Sequence, residues 1–324
     1  FALFVTYLPR LTGIMSFMGL MFVQHKRTGV AYERLGRLMV DAPVEELVTP
    51  EALSLERGGA PYREQRVASE PFRSLEVEGL RYRHPGAPDG LEDVSFQVRR
   101  GEFVVVTGRI GSGKTTLLRV LLGLLPKDGG SVRWNGREVD DPATFFVPPR
   151  TAYTSQVPRL FSDSLRENIV MGNGATDADV ERVLDLAVML PDVAALHQGL
   201  DTEVGTRGVR LSGGQVQRAA AARMFLRGAE LLVFDDLSSA LDVETERRLW
   251  DGLFAGNDVT CLVVSHRRAA LERADRVVVL EEGKVVAQGT LEEVSSVAPE
   301  LVTWAGENAA PHGAEEVTAA PAVN

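Results

Sequence analysis

Residues 103–125 read FVVVTGRIGSGKTTLLRVLLGLL. An apolar run, a glycine-rich turn and a second apolar run with helical spacing predict strand, loop and helix. The turn fits G-x-x-x-x-G-K-[ST] through Gly108, Gly113, Lys114 and Thr115. Glycines let backbone N–H groups from Gly108, Arg109, Ile110, Gly111, Ser112 and Gly113 close around an anion, where a Cβ would block the approach. The helix that follows points its positive end at the same place. Lys114 is placed to reach outer phosphates, Thr115 to ligate Mg²⁺, and Thr116 to bond the innermost phosphate. A bare glycine turn before an ordinary helix is the alternative. The flanking VVV and LLRVLLGLL favour a nucleotide-phosphate site.

A phosphate loop needs an acid for its metal. LLVFDDLSSALD at 231–242 supplies an apolar strand ending in two adjacent aspartates. Side by side they repel, so a cation is expected near them. Asp235 is placed to hold Mg²⁺ through water, with a helix cap or turn residue as the alternative.

Around these two strands the pattern alternates. Short strands and helices separated by turns such as RHPGAPDG run from about residue 75 to 303 and end in RVVVLEEGKVVAQG, which reads as a hairpin. This predicts an α/β domain with a largely parallel core sheet.

Between the two strands lies LSGGQVQRAAAARMFL, residues 211–226. Leu211, Ser212, Gly213, Gly214 and Gln215 match the signature of ATP-binding cassette (ABC) proteins. With the phosphate loop they make residues 75–303 resemble the cassette of an ABC transporter, of the exporter type in which membrane domain and cassette share one chain. The resemblance implies a P-loop NTPase fold: a RecA-like core sheet, an antiparallel β subdomain, and an α-helical signature subdomain at about 157–226. It implies ATP and Mg²⁺ as ligands and ATP hydrolysis as the activity. It also implies that the signature completes the nucleotide site of a second cassette facing this one head to tail.

Further motifs follow in the family's order. Gln156 in TSQVPRLFSDSLRENI matches the loop glutamine that touches the metal. Asp242 in SSALD matches the acid of the loop that crosses to the partner, and His266 in CLVVSHRR matches the histidine that reads the γ-phosphate. In DTEVGTRG, Thr206 stands where the family usually has glutamate.

Two sites depart from the pattern in ways that bear on function. Adenine usually stacks on an aromatic residue just before a proline. Here His84 precedes Pro85 and Tyr82 is two positions earlier, so either could stack. The two are expected on opposite sides of the segment, leaving one to face the base. The residue after the metal aspartate is usually glutamate, which polarises the attacking water. Asp236 is one methylene shorter, so its carboxylate is drawn back by ~1.5 Å. General-base assistance contributes ~10²–10⁴-fold, and ~1 Å of misplacement can cost ~10²-fold. A site that binds ATP well and hydrolyses it slowly is expected. The chain then reads as the degenerate-site half of a heterodimer. A homodimer in which Asp236 is competent, or the ATPase subunit of an importer, are the alternatives.

Upstream, FALFVTYLPRLTGIMSFMGLMFV (1–23) is apolar with Pro9 and Arg10 inside it. As a helix it spans roughly 34 Å, enough for a hydrocarbon core of ~30 Å. Lys26, Arg27, Arg34 and Arg37 follow it and place its C-terminal end in the cytoplasm. It reads as the last transmembrane helix of a multi-pass plasma (inner) membrane protein, continuing to about residue 40, with a buried helix of a soluble protein as the alternative. The first residue is Phe1, so a piece of a longer chain or a processed form is expected. Residues 41–74 read as a linker and 304–324 as a disordered tail. The chain has 324 residues and is 44% hydrophobic, ample for a core. Its net charge of −10 argues against nucleic-acid binding. Cys261, the single cysteine, excludes an internal disulfide.

Overall fold

In a computed structural model the chain is described over residues 2–36, 70–86, 89–205, 208–237, 241–255 and 259–297. Contacts divide it into two units, residues 1–65 and 66–324. The first contains α1 (Ala2–Gly36), a single helix of 35 residues. At ~1.5 Å per residue it is about 52 Å long. The span Leu3–Leu35 is long enough to cross a membrane and holds an 18-residue stretch apolar enough to do so, with mean hydropathy 1.3. Pro9 lacks the N–H an interior helical residue donates. The Thr12 hydroxyl, one turn on, donates to the carbonyls of Leu8 (3.1 Å) and Pro9 (3.0 Å). The continuation expected to residue 40, most of the 41–74 linker, Thr206 and the 304–324 tail lie outside the described residues.

The second unit runs β1 (Ser74–Arg83), β2 (Gly90–Arg99), β3 (Phe103–Thr107), α2 (Lys114–Leu121), β4 (Gly129–Trp134), β5 (Arg137–Glu138), α3 (Pro142–Phe145) and β6 (Thr151–Thr154). A helical portion follows: β7 (Asp163–Ser164), α4 (Leu165–Val170), α5 (Asp177–Leu186), α6 (Leu190–Ala195), β8 (Glu203–Val204) and α7 (Gly213–Leu226). The chain then returns through β9 (Leu231–Asp235), α8 (Val243–Phe254), β10 (Thr260–Val264), α9 (Arg268–Arg273), β11 (Arg276–Glu281), β12 (Lys284–Gly289) and α10 (Leu291–Val297).

The central sheet has six strands in the order β12-β11-β3-β10-β9-β6. All pair in parallel except the β11–β12 hairpin. Its strands are continuous apolar runs because both faces are covered. Successive side chains alternate between two cores, as a pleated strand requires. Phe103, Val105, Leu232, Phe234, Cys261 and Val263 pack on the side of α5, α7 and α8. Val104, Val106, Leu231, Val233, Leu262 and Val264 pack on the other side, with α2 and the antiparallel sheet β2-β1-β4-β5. Burial in the first core pushes the Cys261 thiol up, so it stays neutral.

Parallel strands carry their carboxyl ends to one edge of the sheet. The loops after β3, β6, β9 and β10 therefore converge there, where open α/β sheets bind ligands.

Candidate functional site

The loop after β3 is Gly108–Gly113. Gly108 has φ +144°, and a Cβ on it would sit 2.0 Å from the Leu280 carbonyl oxygen. Gly111 and Gly113 also have positive φ, +83° and +99°. Only glycine holds such a chain without strain. Gly113 leads directly into α2, so the amides at the loop's end and the helix N-terminus face one opening. The Lys114 ammonium donates to the carbonyls of Gly108 (2.8 Å) and Arg109 (2.7 Å), which holds it over the loop. Burial lowers its pKa, while Asp236 and Asp235 oppose that shift.

Three further loops supply side chains. Asp235 ends β9, 1% exposed. Its Oδ1 accepts from the Thr115 hydroxyl at 3.1 Å, and its Oδ2 from the Tyr153 hydroxyl at 3.4 Å. Burial raises its pKa, and the Thr115 hydrogen bond opposes the shift. Asp236 adopts φ +53°, a left-handed conformation that aspartate tolerates better than most residues. Its N–H donates to the Val264 carbonyl at 2.9 Å, which anchors the turn to β10. Gln156 Nε2 donates to Asp236 Oδ2 at 3.4 Å, and His266 Nδ1 stands 3.7 Å from Oδ1. Asp236 Oδ1 is buried and has no hydrogen-bond partner among the described residues. Burial raises the Asp236 pKa, His266 opposes it, and Asp235 adds to it.

One cleft gathers most of the expected residues: Tyr82, His84, Gly108, Ile110, Gly111, Gly113, Lys114, Thr115, Thr116, Gln156, Asp235, Asp236 and His266 all line it. Its donor set suits a nucleoside polyphosphate with a hard divalent cation. The loop is a cradle that a Cβ would fill. The hydroxyl of Thr115, the carboxylate of Asp235 and the amide of Gln156 are oxygen ligands of the kind Mg²⁺ takes together with phosphates. Among the described residues no three His, Cys, Asp or Glu side chains form a cluster that could hold a metal ion.

The opposite-sides expectation for Tyr82 and His84 is corrected. Residues two apart in a strand share a face. The Tyr82 hydroxyl lies 3.3 Å from His84 Nδ1, and the rings meet edge to face with centroids 4.8 Å apart. Tyr82 is buried and His84 half-exposed, its Nε2 3.4 Å from the Thr116 hydroxyl.

Ser212, Gly213, Gly214, Gln215 and Asp242 do not line this cleft. Ser212 caps α7 in a reciprocal box with Gln215, and the two glycines form the first turn. Asp242 caps α8 by accepting from the Thr245 amide (2.9 Å) and hydroxyl (2.7 Å). Two residues that sequence reading missed also touch the site. Tyr153 supports Asp235, and the phenol's pKa is pushed up to about 12, by burial first and then by Asp235. Gln217, buried in α7, donates to the Gln156 carbonyl at 3.4 Å. Tyr153 lies only three positions before Gln156, a proximity that could have flagged it.

Three comparisons bear on this geometry. The family model described as ABC transporter matches residues 91–239. An ATP-dependent lipid A-core flippase of Pseudomonas fluorescens is 39% identical over 222 residues, 67% of this chain and 37% of that protein. The flippase of Vibrio vulnificus is 35% identical over 246 residues, 75% of this chain and 42% of its own length. Among solved structures, a bacterial Atm1-family ABC exporter with ATP bound superposes with TM-score 0.67 at 28% identity. That superposition covers 75% of this chain and 43% of the exporter. The chain thus spans about two fifths of the relatives it matches.

Proposed function

We propose, from the match of residues 91–239 to the ABC transporter family model, that this chain is the last membrane helix and the ATPase cassette of an exporter half-transporter. ATP binds with its phosphates in the loop from Gly108 to Thr116 and its base against His84. Thr115, Asp235 and Gln156 hold Mg²⁺, which when bound neutralises charge on the phosphate oxygens. Asp236 orients the attacking water and His266 senses the outer phosphate. Ser212–Gln215 and Asp242 serve the nucleotide of a facing cassette. Closure and release of the cassette pair then drive a substrate across a bacterial inner membrane, with the cassette on the cytoplasmic side.

Within that pair we infer that this chain is the slow half. The observation that carries this is the place of Asp236. Its side chain is only 10% exposed and ends between Gln156 and His266. It is also a methylene shorter than the glutamate the family uses there. Such a carboxylate ends ~1.5 Å short of where the glutamate's would lie, and the intact signature is left to serve a glutamate-bearing partner.

The test is steady-state ATPase of the full-length protein purified without a partner, wild type against Asp236→Glu. A nearly silent wild type and a gain of about tenfold or more support the slow-half reading. A brisk wild type that glutamate leaves unchanged makes Asp236 a competent base and the protein an active homodimer.

A further inference from the structure

The signature acts at a distance from its own phosphate loop, so its shape has to be fixed from within its own subdomain. Gln215 is central to that shape. The Ser212 N–H donates to Gln215 Oε1 at 2.8 Å, and the Gln215 N–H donates to Ser212 Oγ at 3.3 Å. This uses the oxygen end of the Gln215 amide. The nitrogen end, Nε2, donates to Oδ1 of Asp192 in α6 at 3.0 Å. Oδ2 of the same carboxylate accepts from Arg218, at 3.2 Å from Nε and 2.7 Å from Nη2. Arg218 and Asp192 are 13% and 18% exposed, so water competes weakly for this contact.

An ionised carboxylate only accepts hydrogen bonds. It therefore dictates which end of the Gln215 amide turns towards it. Only the nitrogen can, and the oxygen is left facing the Ser212 N–H. Without Asp192 the amide is free to flip and present its NH₂ to another N–H, which breaks the box. Arg218, one turn along α7, holds the carboxylate in place.

We propose that Asp192 is a positioning residue for the signature. By orienting the Gln215 amide it keeps Ser212 and the first turn of α7 in the one shape that receives a phosphate from a facing cassette. This rests on the reading above that the signature serves that cassette.

The test uses the full-length transporter in its dimeric form, with Asp192→Ala, Gln215→Ala, the double variant and Ser212→Ala. Two quantities are read: kcat at saturating ATP, and affinity for a fluorescent ATP analogue at this chain's own phosphate loop. Asp192→Ala is expected to lower kcat about tenfold, since a misplacement of ~1 Å costs up to ~10²-fold. Own-loop affinity should stay within about twofold, and the double variant should be no slower than Gln215→Ala, as for two residues acting through one contact. Unchanged kcat in Asp192→Ala, while Ser212→Ala falls, overturns the positioning role alone. Additive losses, or kcat and own-loop affinity falling together, reduce Asp192 to packing between α6 and α7 and also overturn it. If Ser212→Ala itself is without effect, the signature reading fails and this inference with it.

Discussion

The Thr115 hydroxyl donates to Asp235 Oδ1 across 3.1 Å, tying the first turn of α2 to the end of β9. The two residues are 120 positions apart, and only the parallel sheet brings them together. On the proposed reading both would ligate Mg²⁺ beside the phosphate loop. Thr115→Val keeps the shape and removes the oxygen. ATP affinity measured with Mg²⁺ is expected to fall about tenfold, and affinity measured in excess chelator to change little. A hydrogen bond to a charged group is worth ~1.5–3 kcal/mol, which sets that scale. Equal losses with and without the metal would make Thr115 a general support of the loop.

Asp236 makes a prediction in the opposite direction, towards stability. Burial raises its pKa above the unfolded value of ~3.9. Between the unfolded and folded values the native state binds more protons than the unfolded chain. Stability therefore falls as pH rises through that window, and the penalty is complete only above the folded value. Asp236→Asn removes the charge and keeps an oxygen for Gln156. Without nucleotide or metal, the cassette's unfolding transition is expected to rise by about 2–4 °C near neutral pH, the shift for ~1 kcal/mol in a domain of this size. The gain should shrink as pH is lowered towards ~4. A gain equally large at acid pH would trace it to something other than the buried charge.

On the proposed reading Tyr82 and His84 divide one task. The half-exposed His84 ring is free to meet the base, and the buried Tyr82 ring holds it from behind. Base–aromatic stacking is worth ~1–3 kcal/mol. His84→Ala is expected to weaken ATP binding about tenfold. Tyr82→Phe should cost only a few-fold, by releasing Nδ1 of His84. Isothermal titration on the full-length protein separates the two, and a larger loss in Tyr82→Phe would reverse the assignment.

The phosphate loop and the central strands were legible because their physics is local. Glycine spacing fixes a backbone shape, and strands buried on both faces read as unbroken apolar runs, as in β3, β9 and β10. The Tyr82–His84 pair was equally local and was misread, since a strand repeats every two residues. The grip of Asp192 on Gln215 spans 23 positions, and that of Gln217 on Gln156 spans 61. Neither carries a period or a motif, because each exists only once the helices have packed. Two-residue strands such as β5 and β8 are likewise too short to show alternation.

Asp242 has a fold role in the structure and a proposed functional role, both resting on one carboxylate. Its oxygens accept the Thr245 amide and hydroxyl, capping α8. Those bonds hold its pKa below the ordinary carboxylate value, the Thr245 hydroxyl contributing most. A depressed folded value means stability that is complete above the unfolded pKa of ~3.9 and is lost as pH falls through the folded one. Asp242→Ala is expected to cost about 1 kcal/mol, in the ~0.5–2 kcal/mol range of lost caps. Asp242→Asn keeps the capping oxygen and should cost only a few tenths, while removing this residue's share of the acid limb of the pH profile. The same variant isolates the charge from the cap. If Asp242→Asn folds like wild type and the dimer's ATPase still falls, the negative charge acts across the cassette interface. If stability and ATPase both hold, the carboxylate serves α8 alone and the crossing role passes to other residues of that loop.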